Sequence, residues 1–182
     1  VTRVNFNHYR ESTIQRRILR RMALHNEQSM AGYARRLEKD ATEVQALYRD
    51  LLINVTTFFR DPEVFDYLKR EVFPQVIKDM DGAPVRLWVP GCSTGQEAYS
   101  LAIILWEFFD DRPVRPPIQI FASDMADTGL FEKARAGLFP ASIESEVEPG
   151  RVRRFFKKEG HLYPIDKTIR DACLFSHHNV MA

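Results

Sequence analysis

Residues 85–97 read VRLWVPGCSTGQE, and this stretch decides the fold. Val85, Leu87 and Val89 are strand formers set between Gly82 and Pro90. Gly91 and Gly95 then let the backbone turn and approach a ligand where a Cβ would clash. A helix is expected from about 95 to 109. A buried strand running into a glycine-pinned turn and a helix start is the geometry of a nucleotide-type cofactor site. A dinucleotide fingerprint requires three glycines as GxGxxG, and this loop has only GxxxG, so a ligand with a ribose and no phosphate suits it better than a pyrophosphate. The apolar run at 118–122 begins 27 residues after Gly91 and ends in Ser123 and Asp124. A carboxylate at the end of a second strand is placed to accept hydrogen bonds from ribose hydroxyls. The same residues are compatible with an ordinary βαβ unit whose loop glycines only make turns.

Working outward, strands and helices alternate from Pro84 onward, which predicts an α/β layer with a parallel sheet. The segment DDRPVRPP at 110–117 is a connector, because its prolines forbid a continuous helix. Upstream, 13–25, 29–38, 42–53 and 62–79 read as helices. Ser12 with Gln15 and Asp40 with Glu43 have capping-box spacing, and Asp61 is expected to cap a helix beginning at Pro62. The polar break KDMDG at 78–82 divides a helical domain at 1–79 from an α/β domain at 84–182. Between the third and fourth helices lies INVTTFFRDPE at 53–63. Phe58 and Phe59 would anchor it, while Asn54, Thr56, Thr57 and Arg60 supply donors and acceptors, a composition that suits ligand binding. A capped loop with two packed phenylalanines has the same composition.

The chain has 182 residues, 45% hydrophobic and 28% charged, as in a soluble globular protein. Its longest apolar runs fall well short of the roughly 20 residues that span a bilayer, and the opening VTRVNFNHYR contains no signal core. Two cysteines, Cys92 and Cys173, with no CxxC pair, point to a reducing cytoplasmic setting. The net charge of +1 conceals an asymmetry, since residues 1–40 hold nine Lys or Arg against four Asp or Glu. On a helical projection Ile14, Ile18, Leu19 and Met22 fall in one arc and Arg16, Arg17, Arg20 and Arg21 in the opposite one. Like charges so spaced repel, which an acidic partner would relieve. The patch lacks the interleaved aromatics of a nucleic-acid binder, and a carboxylate-rich protein surface fits it as well.

Taken in order, NVTTFFRDPEVF, VRLWVPGCSTGQEAYSLA, IQIFASDM, EKARAGLFP and LFSHHNV resemble the CheR-type chemotaxis receptor glutamate methyltransferases, from about His8 to Val180. HYRESTIQRRILRRMALH is most similar to the form of that domain found in hybrids with a CheB-like methylesterase. The resemblance implies an N-terminal all-helical domain followed by a Rossmann-like S-adenosylmethionine-dependent methyltransferase domain. It implies O-methylation of glutamate side chains on cytoplasmic helices of chemoreceptors, with S-adenosyl-L-homocysteine as product, no nucleic-acid partner and no membrane insertion. A non-catalytic module that senses the cofactor or docks a partner is the alternative.

The resemblance also implies roles for individual residues. Asn54, Thr56 and Arg60 would meet cofactor and acceptor, Arg60 orienting the incoming carboxylate or holding that of the cofactor. Gly91, Gly95 and Glu97 would form the cofactor loop, with Glu97 near the methionine moiety. Asp124 would bind the ribose and Asn179 would lie near the adenine. Arg16, Arg17, Arg20 and Arg21 would be the docking face. The family usually has a second Glu where this chain has Gln96, so a charge is lost there. KKEGHLYPI is short, so a receptor-tail tether is not expected. Neither is a catalytic histidine or a metal pair, because adjacent His177 and His178 would point to opposite sides of a strand. The family continues beyond the strand carrying Asn179, so the chain reads as truncated, with an incomplete sheet that leaves an apolar edge and face uncovered.

Overall fold

A computed structural model of the chain describes residues 10–51, 56–78, 82–125 and 128–180. They fall into two compact units, Val1–Ile53 and Asn54–Ala182. The division therefore lies at 53/54 and not at the polar break over 78–82. Phe58, Phe59, Phe65, Phe73 and Ile77 explain the difference, because all five are buried in the same core as Val85 and Val89. The residues that look like a fourth helix of an all-helical domain are held by the apolar surface of the sheet unit.

In the first unit, α1 (Glu11–Leu24), α2 (Met30–Lys39) and α3 (Ala41–Leu51) follow the expected helices closely. The caps differ. Ser12 lies inside α1, which starts at Glu11 behind Arg10 with no side-chain cap. Ser29 Oγ caps α2 by accepting from Gly32 N–H at 3.0 Å. Asp40 Oδ1 accepts from Glu43 N–H at 3.0 Å, as expected. Glu43, however, does not close a box with Asp40.

Glu43 is only 3% exposed and points into the unit. Arg21 forks onto it, with Nε donating to Oε1 at 2.9 Å and Nη2 paired with Oε2. Tyr33 O–H donates to Oε1 at 2.5 Å, and His25 Nε2 lies 2.6 Å from Oε2. The Arg21 fork, joined by the Tyr33 and His25 bonds against the opposing cost of burial, pulls the Glu43 carboxyl down to about 2. This demand for an inward cation sets the rotation of α1. Met22 and Arg21 turn inward, and Leu19, expected in the packed arc, is 50% exposed.

The second unit opens with α4 (Pro62–Tyr67), a π-helical turn (Leu68–Val72) and α5 (Phe73–Ile77), where one helix over 62–79 was expected. Pro74 has no N–H to return to the residue four back, and the widened turn, with Phe73 N–H bonded to Leu68 O, accommodates that loss. Then follow β1 (Val85–Pro90), α6 (Gln96–Phe108), β2 (Ile118–Asp124), α7 (Thr128–Ala136), β3 (Leu138–Pro140), α8 (Ile143–Glu146), α9 (Pro149–Phe155), β4 (Leu162–Pro164), α10 (Lys167–Asp171) and β5 (Cys173–His177). The three-stranded sheet has the order β1-β2-β5, all parallel, and β3 pairs antiparallel with β4.

Strand alternation separates the two faces of the parallel sheet. Val85, Val89, Ile118, Ile120, Ala122, Cys173 and Phe175 are buried in the core cluster that also takes up α6, whose residues 98–105 are all buried. On the opposite face Trp88, Phe121 and Leu174 stand in register across the three strands, 57%, 42% and 51% exposed. Among the described residues no helix is long and apolar enough to cross a membrane.

Candidate cofactor site

The carboxyl ends of β1, β2 and β5 meet at one edge of the sheet, and the loop after β1 is built there from left-handed residues. Gly91 has φ 72°, Ser93 φ 49° and Gly95 φ 93°. Among the described residues nothing lies within 4 Å of where a Cβ on Gly91 would sit, so there that glycine is required by its backbone angle alone. Gly95 is different: a Cβ there would lie 3.0 Å from Phe175 Cζ and 3.2 Å from Tyr99 Cε2. Gly95→Ala therefore combines a left-handed penalty with displacement of two buried rings. It is expected to lower stability by about 2–4 kcal/mol, against about 1 kcal/mol for Gly91→Ala. Thermal denaturation of the two variants checks the difference, and equal melting points would contradict it.

The loop is tied to the end of β2. Ser93 N–H donates to Asp124 Oδ2 at 2.8 Å, and Cys92 N–H donates to Ser123 O at 3.0 Å. Trp88 Nε1–H donates to Ser123 Oγ at 3.0 Å. The chain leaving β5 closes the same edge, with His178 N–H bonded to Asp124 O at 2.9 Å and the His178 ring 6.0 Å from that of Trp88. Asn179, the next residue, is half-buried. Gly91, Gly95, Asp124 and Asn179 thus belong to one end of the sheet.

Glu97 stands in the first turn of α6, exposed and without a hydrogen bond or ion pair among the described residues. Gln96 is half-buried and accepts from Thr94 Oγ1 at 2.6 Å. Cys92 is buried in this loop. Burial, reinforced by the nearby Asp124 charge, pushes its thiol up to about 12, so it is not a thiolate nucleophile at neutral pH.

Of the 54–60 segment, Asn54 lies outside the described residues. Thr56 is half-buried and Arg60 is exposed. Between them, Phe58 packs edge-on to Phe139 and Phe156 at 4.7 and 5.4 Å, and Phe59 to Phe65 at 5.4 Å. The guanidinium of Arg151 lies 4.4 Å above the Phe59 ring and forks onto Glu107 at 2.7 and 2.9 Å. Lys69 also reaches Glu107 at 2.9 Å. Burial opposes ionisation of Glu107, but these two cations hold its carboxyl below the ordinary range. Phe59 and Asp61 are both left-handed, φ 49° and 58°. Such a conformation is unusual for a bulky residue and persists where the surroundings impose it. Asp61 precedes α4 as expected but makes no side-chain cap bond.

The arginines of α1 separate into two kinds. Arg16 and Arg20 are exposed, Arg17 is half-buried, and Arg21 is committed to Glu43, with Asp50 3.9 Å away. Arg21 therefore does not belong with an outward docking set. Sequence reading missed Ser93, Ser100, Glu146 and the Glu43 cluster. A serine at position 100, inside the apolar run AYSLAIIL, was a usable signal. The partner of Glu146 is 88 residues away and left none.

Among the described residues, the space over Gly91, the Asp124 carboxylate held at the sheet edge and the exposed carboxylate of Glu97 fit a ribose-bearing cation without phosphates. Comparison with known proteins agrees. Residues 54–182 match the family description "CheR methyltransferase, SAM binding domain", and residues 1–52 match "CheR methyltransferase, all-alpha domain". A Rhodobacter capsulatus protein named "Uncharacterized 104.1 kDa protein in hypE 3'region" is 38% identical over 180 residues, covering 98% of this chain and 19% of that protein. "Chemotaxis protein methyltransferase 2" of Vibrio cholerae is 30% identical over 183 residues, 98% of this chain and 62% of the relative. "Chemotaxis protein methyltransferase" of Listeria innocua is 28% identical over 173 residues, 95% and 64% respectively. The chain spans less than two thirds of the length of each of these relatives.

Proposed function

The chain belongs to the CheR methyltransferase family and uses S-adenosylmethionine as its cofactor; from that premise we propose that it O-methylates glutamate side chains on chemoreceptor-type signalling proteins in the cytoplasm. The single observation that carries this reading is the tie between Ser93 N–H and Asp124 Oδ2, which fixes a carboxylate beside the glycine loop at the sheet edge. When bound, the cofactor supplies a methyl group on a sulfonium sulfur, and an ionised acceptor carboxylate is nucleophilic enough to take it without a general base. Among the chain's own residues, Asp124 accepts from the ribose hydroxyls and Glu97 faces the ammonium of the methionine moiety. Gly91 and Gly95 shape the loop, Asn179 borders the adenine, and Thr56 lines the approach. Arg60 touches the acceptor carboxylate or that of the cofactor and orients it. Positioning and exclusion of water account for the rate. The protonated thiol of Cys92 is not available to carry the methyl group.

Arg16 and Arg20, with Arg17 beside them, form the docking face for glutamate-rich helices of the acceptor. The relatives' names, and the excess of basic residues in 1–40, support that choice. The test is incubation of the protein with radiolabelled S-adenosylmethionine and a chemoreceptor cytoplasmic fragment. Base-labile label on the receptor, as a methyl ester gives, is the expected result. Cofactor binding with no transferred label would replace the enzyme by a sensing or docking module.

A further inference from the structure

We infer that Ser100 and Glu146 are positioning residues that hold the 56–60 segment in register with the cofactor loop; the inference rests on the cofactor reading above. Phe58 and Phe59 present successive N–H groups in a stretch outside any helix or strand. Each is taken by a side chain. Phe58 N–H donates to Glu146 Oε2 at 3.0 Å, and Phe59 N–H donates to Ser100 Oγ at 3.0 Å. Ser100 Oγ in turn donates to Gln96 O at 2.7 Å, on the residue that follows Gly95 and opens α6. One hydroxyl therefore joins the two segments to which cofactor contacts are assigned.

Ser100 is 0% exposed, so its hydroxyl is lodged in the core, where an unsatisfied polar group would be costly. The rings of Phe58 and Phe59 fix how deeply the segment sits, but ring packing leaves the peptide planes free to rotate. The two acceptors remove that freedom and hold Phe59 at φ 49°, a conformation costing about 1–2 kcal/mol. Without them the backbone relaxes toward negative φ, and Thr56 and Arg60, on either side of the phenylalanine pair, swing with it. Neither Ser100 nor Glu146 is assigned a contact with cofactor or acceptor; they act through the backbone they hold.

The test is calorimetric titration of the chain with S-adenosylhomocysteine for the parent sequence, Ser100→Ala, Glu146→Ala and Glu146→Gln, with amide exchange followed at Phe58 and Phe59. Ser100→Ala and Glu146→Ala are expected to weaken binding about tenfold, the size of one lost positioning contact. Exchange should quicken at Phe59 and at Phe58 respectively. Glu146→Gln keeps an acceptor oxygen at the same reach and should bind within about twofold of the parent. If exchange quickens while affinity stays unchanged, the two residues are only structural and the inference fails. Should Ser100→Ala not fold, the contrast between the two Glu146 variants decides. A parent chain that does not bind S-adenosylhomocysteine overturns the cofactor reading, and this inference with it.

Discussion

Asp124→Ala is expected to reduce affinity for S-adenosylhomocysteine by about 100-fold or more. Two contributions add. Hydrogen bonds from a ribose diol to a carboxylate are charge-assisted, roughly 1.5–3 kcal/mol each. The same carboxylate also holds the cofactor loop through Ser93 N–H at 2.8 Å. Alanine removes both the ligand contact and the tie, leaving Ser93, already at φ 49°, with one restraint fewer. Asp124→Asn keeps an acceptor oxygen for Ser93 and loses the charge, so its loss should be nearer tenfold. Calorimetric titration of the two variants measures both effects. Unchanged binding by Asp124→Ala would remove the ribose from this edge of the sheet and, with it, the assignment of the site.

Glu43→Ala has the second large expected effect, on stability. Removing one partner from a buried ion pair costs roughly 3–5 kcal/mol, because the partner charge is left without compensation. Here the abandoned groups are the Arg21 guanidinium and the Tyr33 hydroxyl, facing a carboxylate that is 3% exposed. A unit of 53 residues has little stability to spare. The three helices α1 to α3 should therefore melt well below the parent, read by circular dichroism and by amide exchange at Tyr33. Acid should reproduce the effect in the parent. The folded carboxyl titrates at about 2, below its ordinary 4.5, so its contribution is complete above pH 4.5 and is lost as pH falls toward 2. Stability of this unit that stayed flat across that window would show that the Arg21–Glu43 pair contributes nothing net.

Much of the fold was legible because its signals are local. Val85, Val89, Ile118 and Ile120 announce strands by composition, and they are strands. Gly91 and Gly95 announced a turn, and the structure adds that their φ angles of 72° and 93° make it left-handed. The place of Asp124 at the end of β2 was readable for the same reason, since strand length and connector length fix which residue reaches the edge. The helical projection of α1 failed at Leu19 and Arg21, because periodicity counts apolar residues and cannot see a buried acid on another helix. Glu43 looked like half of a capping box and became the centre of a polar cluster, a choice made by Arg21, 22 residues away.

By itself, the order of amino acids determined that a strand at 85–90 runs through a glycine turn into a helix, that the sheet is parallel, and which carboxylate ends its second strand. Those properties depend on residues a few positions apart. Only the tertiary structure decided that 56–77 belongs with the sheet, that Arg21 is spent internally, and that Ser100 and Glu146 hold the phenylalanine pair. Each of these rests on a buried group finding partners distant in the chain, the hydrogen bonds among them spanning 22 to 88 residues, and the cost of leaving such a group unsatisfied is settled by packing in three dimensions.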